Sequence, residues 1–291
     1  MNKKRVRVLM AALSIVAATS VLAGCGKTAE KTPAAEISGT ITVLGSTALQ
    51  PLAEQAAKNF IVKNSKANIN VQGGGSGAGI NQVYAGTANI GMSDVTALEK
   101  LKDEAKAKEL TDYQVCVIGF AVVTSKDVTV TSLTKKQIQD IFTGVVTNWK
   151  QLGGEDQVIN VVHRPASSGT RATFLNTVMD GVKEKEDLGT VQDSSGAVRT
   201  AVKANKGSIS YLALSYLTDE VKGDLNIMAI DEVKAEKENI ISKKYPFWSY
   251  EHMYTKGEAK DLTKAFIDYM TSSENKAAVE KLGYIPMSDM K

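Results

Sequence analysis

From residue 40 to the C-terminus, short apolar stretches alternate regularly with stretches of helical periodicity. Ile41–Leu44, Ile69–Gln72 and Ala88–Met92 are predicted to be strands, and Val115–Thr124 to be a long buried strand. Leu98–Leu110 is predicted to be a charged amphipathic helix. Because strands and helices that alternate along a chain pack in layers around largely parallel sheets, the sequence predicts an α/β fold. The length of 291 residues suits one large or two medium domains.

The first 24 residues have the order of segments that is typical of a secretory signal. Four basic residues stand among the first seven, an apolar run covers residues 8–23, and Leu22-Ala23-Gly24-Cys25 follows. This tetrapeptide resembles a bacterial lipobox, which implies cleavage before Cys25 and lipidation of that residue. Residues 1–24 are therefore predicted to be a lipoprotein signal peptide, and residues 25–36 a lipidated Cys with a flexible tether. An uncleaved membrane anchor is the alternative, although the apolar run is short for a spanning helix.

The predicted cleavage changes the charge balance of the chain. The whole sequence has 35 Lys and Arg against 32 Asp and Glu, a formal net charge of +3. Subtracting the four basic residues of the signal leaves 31 against 32, a formal net charge of −1. A nucleic-acid-binding role thereby loses its compositional support, and a bound anion would have to be held by a local site.

The cysteines and histidines argue against a disulfide framework and a zinc site. With Cys25 lipidated, Cys116 is left alone in an apolar run, where a buried and inert thiol is expected. His163 and His252 are far from each other and from Cys116 in the sequence. No metal or other cofactor is predicted.

Three segments share one design, in which a strand ends, a short loop rich in Ser, Thr and Gly follows, and a helix begins. They are Gly45-Ser46-Thr47, the glycine-rich stretch 73–79, and Ser167-Ser168-Gly169-Thr170. Helix N-termini present unpaired N–H groups and the positive end of the helix dipole, and hydroxyls add further donors to an anion. One such loop is usually explained by helix capping, whereas three together favour a shared anion site. A fourth loop, at 193–196, is interpreted as a supporting loop or a plain helix cap.

Two charged residues lie at predicted strand ends beside these loops. The guanidinium of Arg164 carries forked donors that match two oxygens of a tetrahedral oxyanion. The carboxylate of Asp94 would repel an anion without protons, but it can accept a hydrogen bond from a protonated one. Phosphate carries one or two protons near neutral pH and sulfate carries none, so Asp94 predicts selection of phosphate. Taken singly, Arg164 would be a surface ion-pair partner and Asp94 a helix cap.

Four motifs, taken together, resemble those of the periplasmic-type phosphate-binding proteins of ABC importers. They are Gly-Ser-Thr-Ala-Leu-Gln-Pro at 45–51, Gly-Gly-Gly-Ser-Gly at 73–77, Gly-Met-Ser-Asp at 91–94 and Arg-Pro-Ala-Ser-Ser-Gly-Thr-Arg at 164–171. The resemblance implies a two-lobed periplasmic-binding-protein fold (Venus-flytrap, type II) with a mixed, largely parallel sheet in each lobe. It places lobe I at 37–116 plus 250–291 and lobe II at 117–249, with ligand closure as a hinge motion.

The same resemblance implies a set of phosphate-binding residues and their roles. Hydroxyls, backbone N–H groups and one guanidinium would donate to phosphate, and one carboxylate would accept its proton. The implied residues are Ser46, Thr47, Ala48, Ser76, Asp94, Arg164, Ser168, Gly169 and Thr170. Some family members brace the site Arg with an acidic residue two positions later. Here Ala166 occupies that position, so the brace has to come from elsewhere, and Arg171 is a candidate for an added contribution.

The resemblance also implies partners and a location. The chain would be a monomeric, lipid-anchored receptor on the extracytoplasmic face of the cell membrane, either on a single-membrane bacterium or in a periplasm. It would deliver inorganic phosphate to the permease and ATPase subunits of an ABC importer, without catalysis.

Four alternatives stay open at this point. A hydrolase could use His163 with Ser167 or Ser168, or the Ser132-x-x-Lys135 pattern, although no G-x-S-x-G motif is present. A nucleotide site could use residues 73–78 with an acidic residue about twenty positions later. Sulfate, molybdate or an organic phosphate could replace phosphate as the ligand, and an adhesive or sensory role could be the main one.

Overall fold

The structure is a computed structural model that describes residues 36–218 and 222–290. The predicted signal peptide (1–24), the predicted lipidation site at Cys25 and all of the predicted tether except Glu36 lie outside the described residues. None of the helices within the described ranges combines the length and the apolar character needed to cross a membrane.

Twelve strands form within the described residues. They are β1 (Gly39–Gly45), β2 (Ala67–Gln72), β3 (Ile90–Ser93), β4 (Leu110–Thr124), β5 (Ser132–Leu133), β6 (Asn160–His163), β7 (Thr190–Val191), β8 (Ser208–Ala213), β9 (Asn226–Ile227), β10 (Ala229–Ile230), β11 (Trp248–Lys256) and β12 (Tyr284–Pro286).

Across residues 36–218 and 222–290, ten α-helices and four short 3-10 helices connect these strands. The α-helices are α1 (Gln50–Lys63), α2 (Ser76–Tyr84), α3 (Ala97–Leu101), α4 (Glu104–Ala107), α5 (Lys135–Phe142), α6 (Gly169–Thr177), α7 (Ser195–Ala204), α8 (Lys237–Ile241), α9 (Asp261–Thr271) and α10 (Lys276–Lys281). The 3-10 helices are Trp149–Leu152, Leu214–Tyr216, Lys222–Asp224 and Met287–Asp289.

Ten of the strands form one mixed sheet, which confirms the predicted α/β class. Its order is β2-β1-β3-β11-β4-β8-β6-β7, with β9 and β12 also pairing with β4. The pairs β1–β2, β1–β3, β6–β7 and β6–β8 are parallel, whereas β4 and β11 pair antiparallel with their neighbours. We call β2, β1 and β3 with the helices that follow them the β1 side, and β8, β6 and β7 with theirs the β6 side.

The long strand β4 joins the two sides. Leu110–Gly119 pairs with β11, and Phe120–Thr124 pairs with β8, with no break in the strand between them. The residue at the change of partner is Gly119, where an added Cβ would lie 2.4 Å from Cδ1 of Ile240. Only a glycine therefore fits there without a shift of its neighbours.

One prediction about an element is wrong. The stretch Leu98–Leu110 is not a single helix, because the chain turns at Lys102, whose φ of 55° is left-handed. Asp103 then caps a second short helix by accepting hydrogen bonds from the N–H groups of Ala105 and Lys106, at 3.0 and 3.1 Å. The last predicted helical residue, Leu110, already begins β4.

A packed aromatic core lies under the β6 side. The rings of Phe174 and Tyr211 stack with centroids 4.2 Å apart, and Phe142 meets Phe174 edge-on at 4.9 Å. Phe247 contacts the same cluster, and all four side chains are buried. Since buried aromatic rings contribute large apolar areas and prefer such geometries, this core fixes α6 against the sheet.

A buried carboxyl group without a partner lies on β11. Glu251 is fully buried opposite Cys116 of β4, and neither of its carboxyl oxygens has a hydrogen-bond partner among the described residues. Burial raises the pKa of Glu251 well above its usual range, and the negative charge of Asp94 raises it further. Burial therefore favours the neutral form of the Glu251 carboxyl group in the folded chain.

We expect this group to make stability fall with rising pH. Between the unfolded and the folded pKa of Glu251 the folded state holds the extra proton, so the free energy of unfolding decreases by up to about 1.4 kcal/mol per pH unit. In Glu251→Gln this contribution to the slope of the free energy of unfolding against pH should vanish. Urea unfolding at pH 5, 6 and 7, followed by tryptophan fluorescence, measures it. The exposed Glu155→Gln should keep the wild-type slope, and equal slopes in all three proteins would contradict the prediction.

Candidate functional site

Five loops meet where the β1 side faces the β6 side, and each follows the carboxyl end of a parallel strand. In α/β folds ligands bind at this edge of the sheet. The loops connect β1 to α1, β2 to α2, β3 to α3, β6 to α6 and β7 to α7. Eight of their polar side chains are buried, and these are Ser46, Thr47, Ser76, Asp94, Arg164, Ser168, Thr170 and Ser195.

Asp94 is the common acceptor of three of these loops. It is 2% exposed, and its Oδ1 accepts hydrogen bonds from Ser46 Oγ and, at 3.3 Å, from Ser76 Oγ. Its Oδ2 accepts from Thr170 Oγ1 at 2.8 Å. Thr170 lies on the β6 side and the other three residues on the β1 side, so one carboxylate links the two sides.

Ser46 and Ala48 are tied into the start of α1. Ser46 Oγ accepts from the N–H groups of Ala48 and Leu49, both at 3.1 Å, while it donates to Asp94. The carbonyl of Ala48 accepts from Ser215 Oγ at 3.0 Å and from the hydroxyl of Tyr284. The predicted donor N–H of Ala48 thus lies at the site and donates to Ser46.

Arg164 brings a buried positive charge to the site. It is 1% exposed, its Nε donates to the carbonyl of Gln192 at 3.0 Å, and its Nη2 donates to that of Asp193 at 3.1 Å. Nη2 also lies 3.5 Å from Thr47 Oγ1. Burial lowers the pKa of Arg164, and no carboxylate among the described residues lies within ion-pair distance of it.

The remaining donor nitrogen of Arg164 has no partner. Nη1 is buried and makes no hydrogen bond within residues 36–218 and 222–290. An unpaired buried donor on a charged group is costly, so it calls for a ligand.

The backbone carbonyls of Gln192 and Asp193 therefore brace Arg164. They take the place of the acidic side chain that Ala166 does not provide. Arg171 supports the same residue from the other end, because its Nη1 donates to the carbonyl of Arg164 at 3.0 Å. Its Nε lies 2.7 Å from the carboxylate of buried Glu184. Arg171 thus holds the backbone of the loop.

The α6 loop packs closely against the β1 side. At Gly169 an added Cβ would lie 2.1 Å from Ser76 Oγ and 2.8 Å from Asp94 Cγ, so no side chain fits there. The neighbouring Ser168 caps α6 by accepting from the N–H of Arg171 at 3.2 Å.

Ser195 is a site residue that the sequence analysis missed. It begins α7, its Oγ lies 3.0 Å from Thr47 Oγ1, and its N–H donates to that same oxygen at 3.2 Å. The sequence predicts a supporting loop or a plain helix cap at 193–196. The Ser-Ser-Gly pattern of this loop repeats that of 167–169, which is the signal that could have identified it.

The arrangement is suited to binding an oxyanion. One unpaired guanidinium nitrogen offers a donor, and the hydroxyls that donate to Asp94 can rotate toward an anion. Asp94 offers an acceptor for a protonated ligand. Ser168 and His163 of the suggested hydrolase are not hydrogen-bonded to each other. Within the described ranges, Ser168 Oγ makes one hydrogen bond, which it accepts from the N–H of Arg171. His163 lies instead 3.4 Å from Glu184. No group of three metal-binding side chains occurs in the described part of the chain.

Comparisons with known sequences identify the family of the chain. A family model described as a PBP superfamily domain matches residues 30–274. The phosphate-binding protein PstS of Bacillus subtilis is 45% identical over 294 residues, covering 100% of this chain and 96% of that protein. PstS of Borreliella burgdorferi is 30% identical over 253 residues, covering 84% of this chain and 89% of that protein.

Solved structures of proteins that are named for phosphate binding or transport are also similar to this chain. A Clostridium perfringens protein, assigned as a phosphate ABC transporter substrate-binding protein and crystallised with bound phosphate, superposes with a TM-score of 0.78 at 34% identity. The match covers 86% of this chain and 100% of that one. An ABC-type phosphate transport receptor from Vibrio cholerae superposes with a TM-score of 0.66 at 28% identity, covering 85% and 100%. These relatives are named as binding proteins and receptors, and the chain belongs to the PBP superfamily and, within it, to the family of the phosphate-binding proteins PstS.

Proposed function

We propose that this chain is a receptor that captures inorganic phosphate between its β1 and β6 sides for an ABC importer. The observation that carries the proposal is the buried guanidinium of Arg164, whose Nη1 has no partner among the described residues. A buried charge without a counter-ion is unfavourable, and a bound oxyanion supplies both the charge and the acceptor. The names of the relatives support phosphate as that anion.

Asp94 supports phosphate over sulfate. Its carboxylate is buried among the same hydroxyls that would surround the ligand, at 2.8 Å from Thr170 Oγ1. A phosphate that keeps a proton can donate it to Asp94, whereas sulfate would meet an acceptor with nothing to donate. The close packing at Gly169 further favours a small ion over an organic phosphate.

The binding set that we propose keeps all nine residues of the sequence prediction and adds one. Hydroxyls come from both sides, the backbone comes from the starts of α1 and α6, and Asp94 is the acceptor. The full set is Ser46, Thr47, Ala48, Ser76, Asp94, Arg164, Ser168, Gly169, Thr170 and Ser195. The addition of Ser195 rests on its two contacts with Thr47.

We further propose the two lobes, with lobe I at 37–116 plus 250–291 and lobe II at 117–249. The change of partner of β4 at Gly119 lies close to the proposed boundary, which supports it. Phosphate would enter when the lobes separate and would be enclosed when they close.

The cellular role is proposed from the relatives and from the first 25 residues. The receptor would be a monomer, anchored by lipid at Cys25 on the extracytoplasmic face of the membrane. It would pass phosphate to the permease and ATPase subunits of the importer. The printed names of the relatives support the transport role, and the lipobox supports the anchor.

Calorimetric titration of the full chain in mild detergent tests the proposal. We expect one phosphate per chain and sulfate binding at least about 100-fold weaker, because the site rejects an ion that leaves its acceptor unpaired. Molybdate and a phosphate monoester serve as further comparisons. The absence of heat with phosphate, or equal affinity for sulfate, would contradict the proposed function.

A further inference from the structure

Lys100 reaches from the β1 side to the loop that carries the β6-side donors. It lies on α3, six residues after Asp94. Its Nζ donates to the carbonyl of Ser168 at 2.8 Å and to that of Ala166 at 3.1 Å. Both bonds are charge-assisted, which makes them stronger than hydrogen bonds between neutral groups.

The carbonyl between these two is also held from the β1 side. The N–H of Gly77, in the first turn of α2, donates to the carbonyl of Ser167 at 2.9 Å. Three consecutive carbonyls, at 166, 167 and 168, are therefore bound by residues of the opposite side. This segment lies between Arg164 and Thr170, so its position sets where the guanidinium and the hydroxyl of those residues lie.

The surroundings of Lys100 favour this use of its ammonium group. The side chain is partly buried, and burial lowers its pKa, while the negative charges of Glu99 and Asp94 act in the opposite direction. The positive charges of Lys102 and Arg171 lower the pKa further. Lys100, Lys102 and Arg171 line a cavity of about 640 Å³ beside the site. Of these three, Lys100 donates to the carbonyls of Ala166 and Ser168, whereas Arg171 donates to the carbonyl of Arg164.

We infer that Lys100 is a positioning residue that holds the site closed over its ligand by clamping the 166–168 segment. The inference rests on the proposed function, since phosphate is the ligand whose release it would slow. The clamp exists only when the two sides are together, so it should act on the dissociation rate and leave the association rate almost unchanged.

Release of ³²P-labelled phosphate from the full chain into excess unlabelled phosphate tests this inference. Lys100→Met, which keeps the length and removes the charge and the donors, should release phosphate about tenfold faster or more. Its association rate should stay within about twofold of wild type. Lys100→Arg keeps charged donors and should restore most of the slow release. Thermal unfolding without phosphate should be the same in all variants.

Lys102→Met is the matched control, because Lys102 carries the same charge and lines the same cavity. Its side chain makes no hydrogen bond or ion pair within the described residues. Its release rate should equal that of wild type. Wild-type release from Lys100→Met, or equal acceleration in both variants, would overturn the inference alone. A wild-type chain that retains no labelled phosphate would overturn the proposed function as well.

Discussion

Replacing Arg164 with Ala is expected to weaken phosphate binding about 100-fold or more, equivalent to about 3 kcal/mol. Arg164 is the only site residue of the described chain that combines a permanent positive charge with an unpaired buried donor. Its loss removes the counter-charge of the anion and leaves the carbonyls of Gln192 and Asp193 without their donor. Isothermal titration with phosphate measures the change.

A matched control and a second substitution sharpen this experiment. Arg199 on α7 forms an ion pair with Asp224 at 2.6 Å, so Arg199→Ala removes an equal charge without touching the site. Its phosphate affinity should stay close to that of wild type. Arg164→Lys should recover only part of the loss, because an ammonium group lacks the planar fork that serves two carbonyls and a ligand. An unaltered titration curve for Arg164→Ala would remove this residue from the site.

Replacing Asp94 with Asn is expected to weaken phosphate binding by about tenfold to 100-fold and to narrow the gap to sulfate. The amide keeps one acceptor oxygen but loses the charge that attracts the ligand proton. It also offers two N–H groups, from which a sulfate ion can accept hydrogen bonds. Titrations with phosphate and with sulfate at the same pH give the selectivity as a ratio of affinities.

Asp187 is exposed, and its ion-pair partner in the described chain is Lys185, so Asp187→Asn removes an equal charge and should leave the selectivity unchanged. If Asp94→Asn kept the wild-type preference for phosphate, the role of proton acceptor would be wrong. If the affinities for phosphate and for sulfate fell by the same factor, the role of Asp94 would be limited to holding the hydroxyls of Ser46, Ser76 and Thr170.

The loops of the site could be predicted because their signals are local. A strand end, a hydroxyl-bearing loop and a helix start lie within a few residues of one another, as at Ser46 and at Ser168. The α/β class follows from the alternation of elements for the same reason. The helix predicted at Leu98–Leu110 is interrupted at Lys102, which adopts a left-handed conformation that its side chain does not signal. The second helix ends at Ala107, and Leu110 already belongs to β4.

The contacts between distant segments could not be predicted in this way. Ser195 meets Thr47 across 148 positions, and its loop reads as an ordinary cap until the fold brings the two together. The carbonyls that brace Arg164 belong to the backbone of Gln192 and Asp193, and backbone acceptors leave no mark in the side-chain sequence. The two bonds of Lys100 are of the same kind.

The uninterrupted course of β4 limits how the molecule can move. Fifteen residues run from the ladder with β11 into the ladder with β8, and the backbone bonding persists through Gly119. A flexible tether would let two bodies tumble independently, but a bonded ribbon permits mainly torsion about its own long axis. If the two sides separate as proposed, we expect the donors on opposite sides to keep facing one another. Rebinding of phosphate would then need only a small rotation of one side relative to the other.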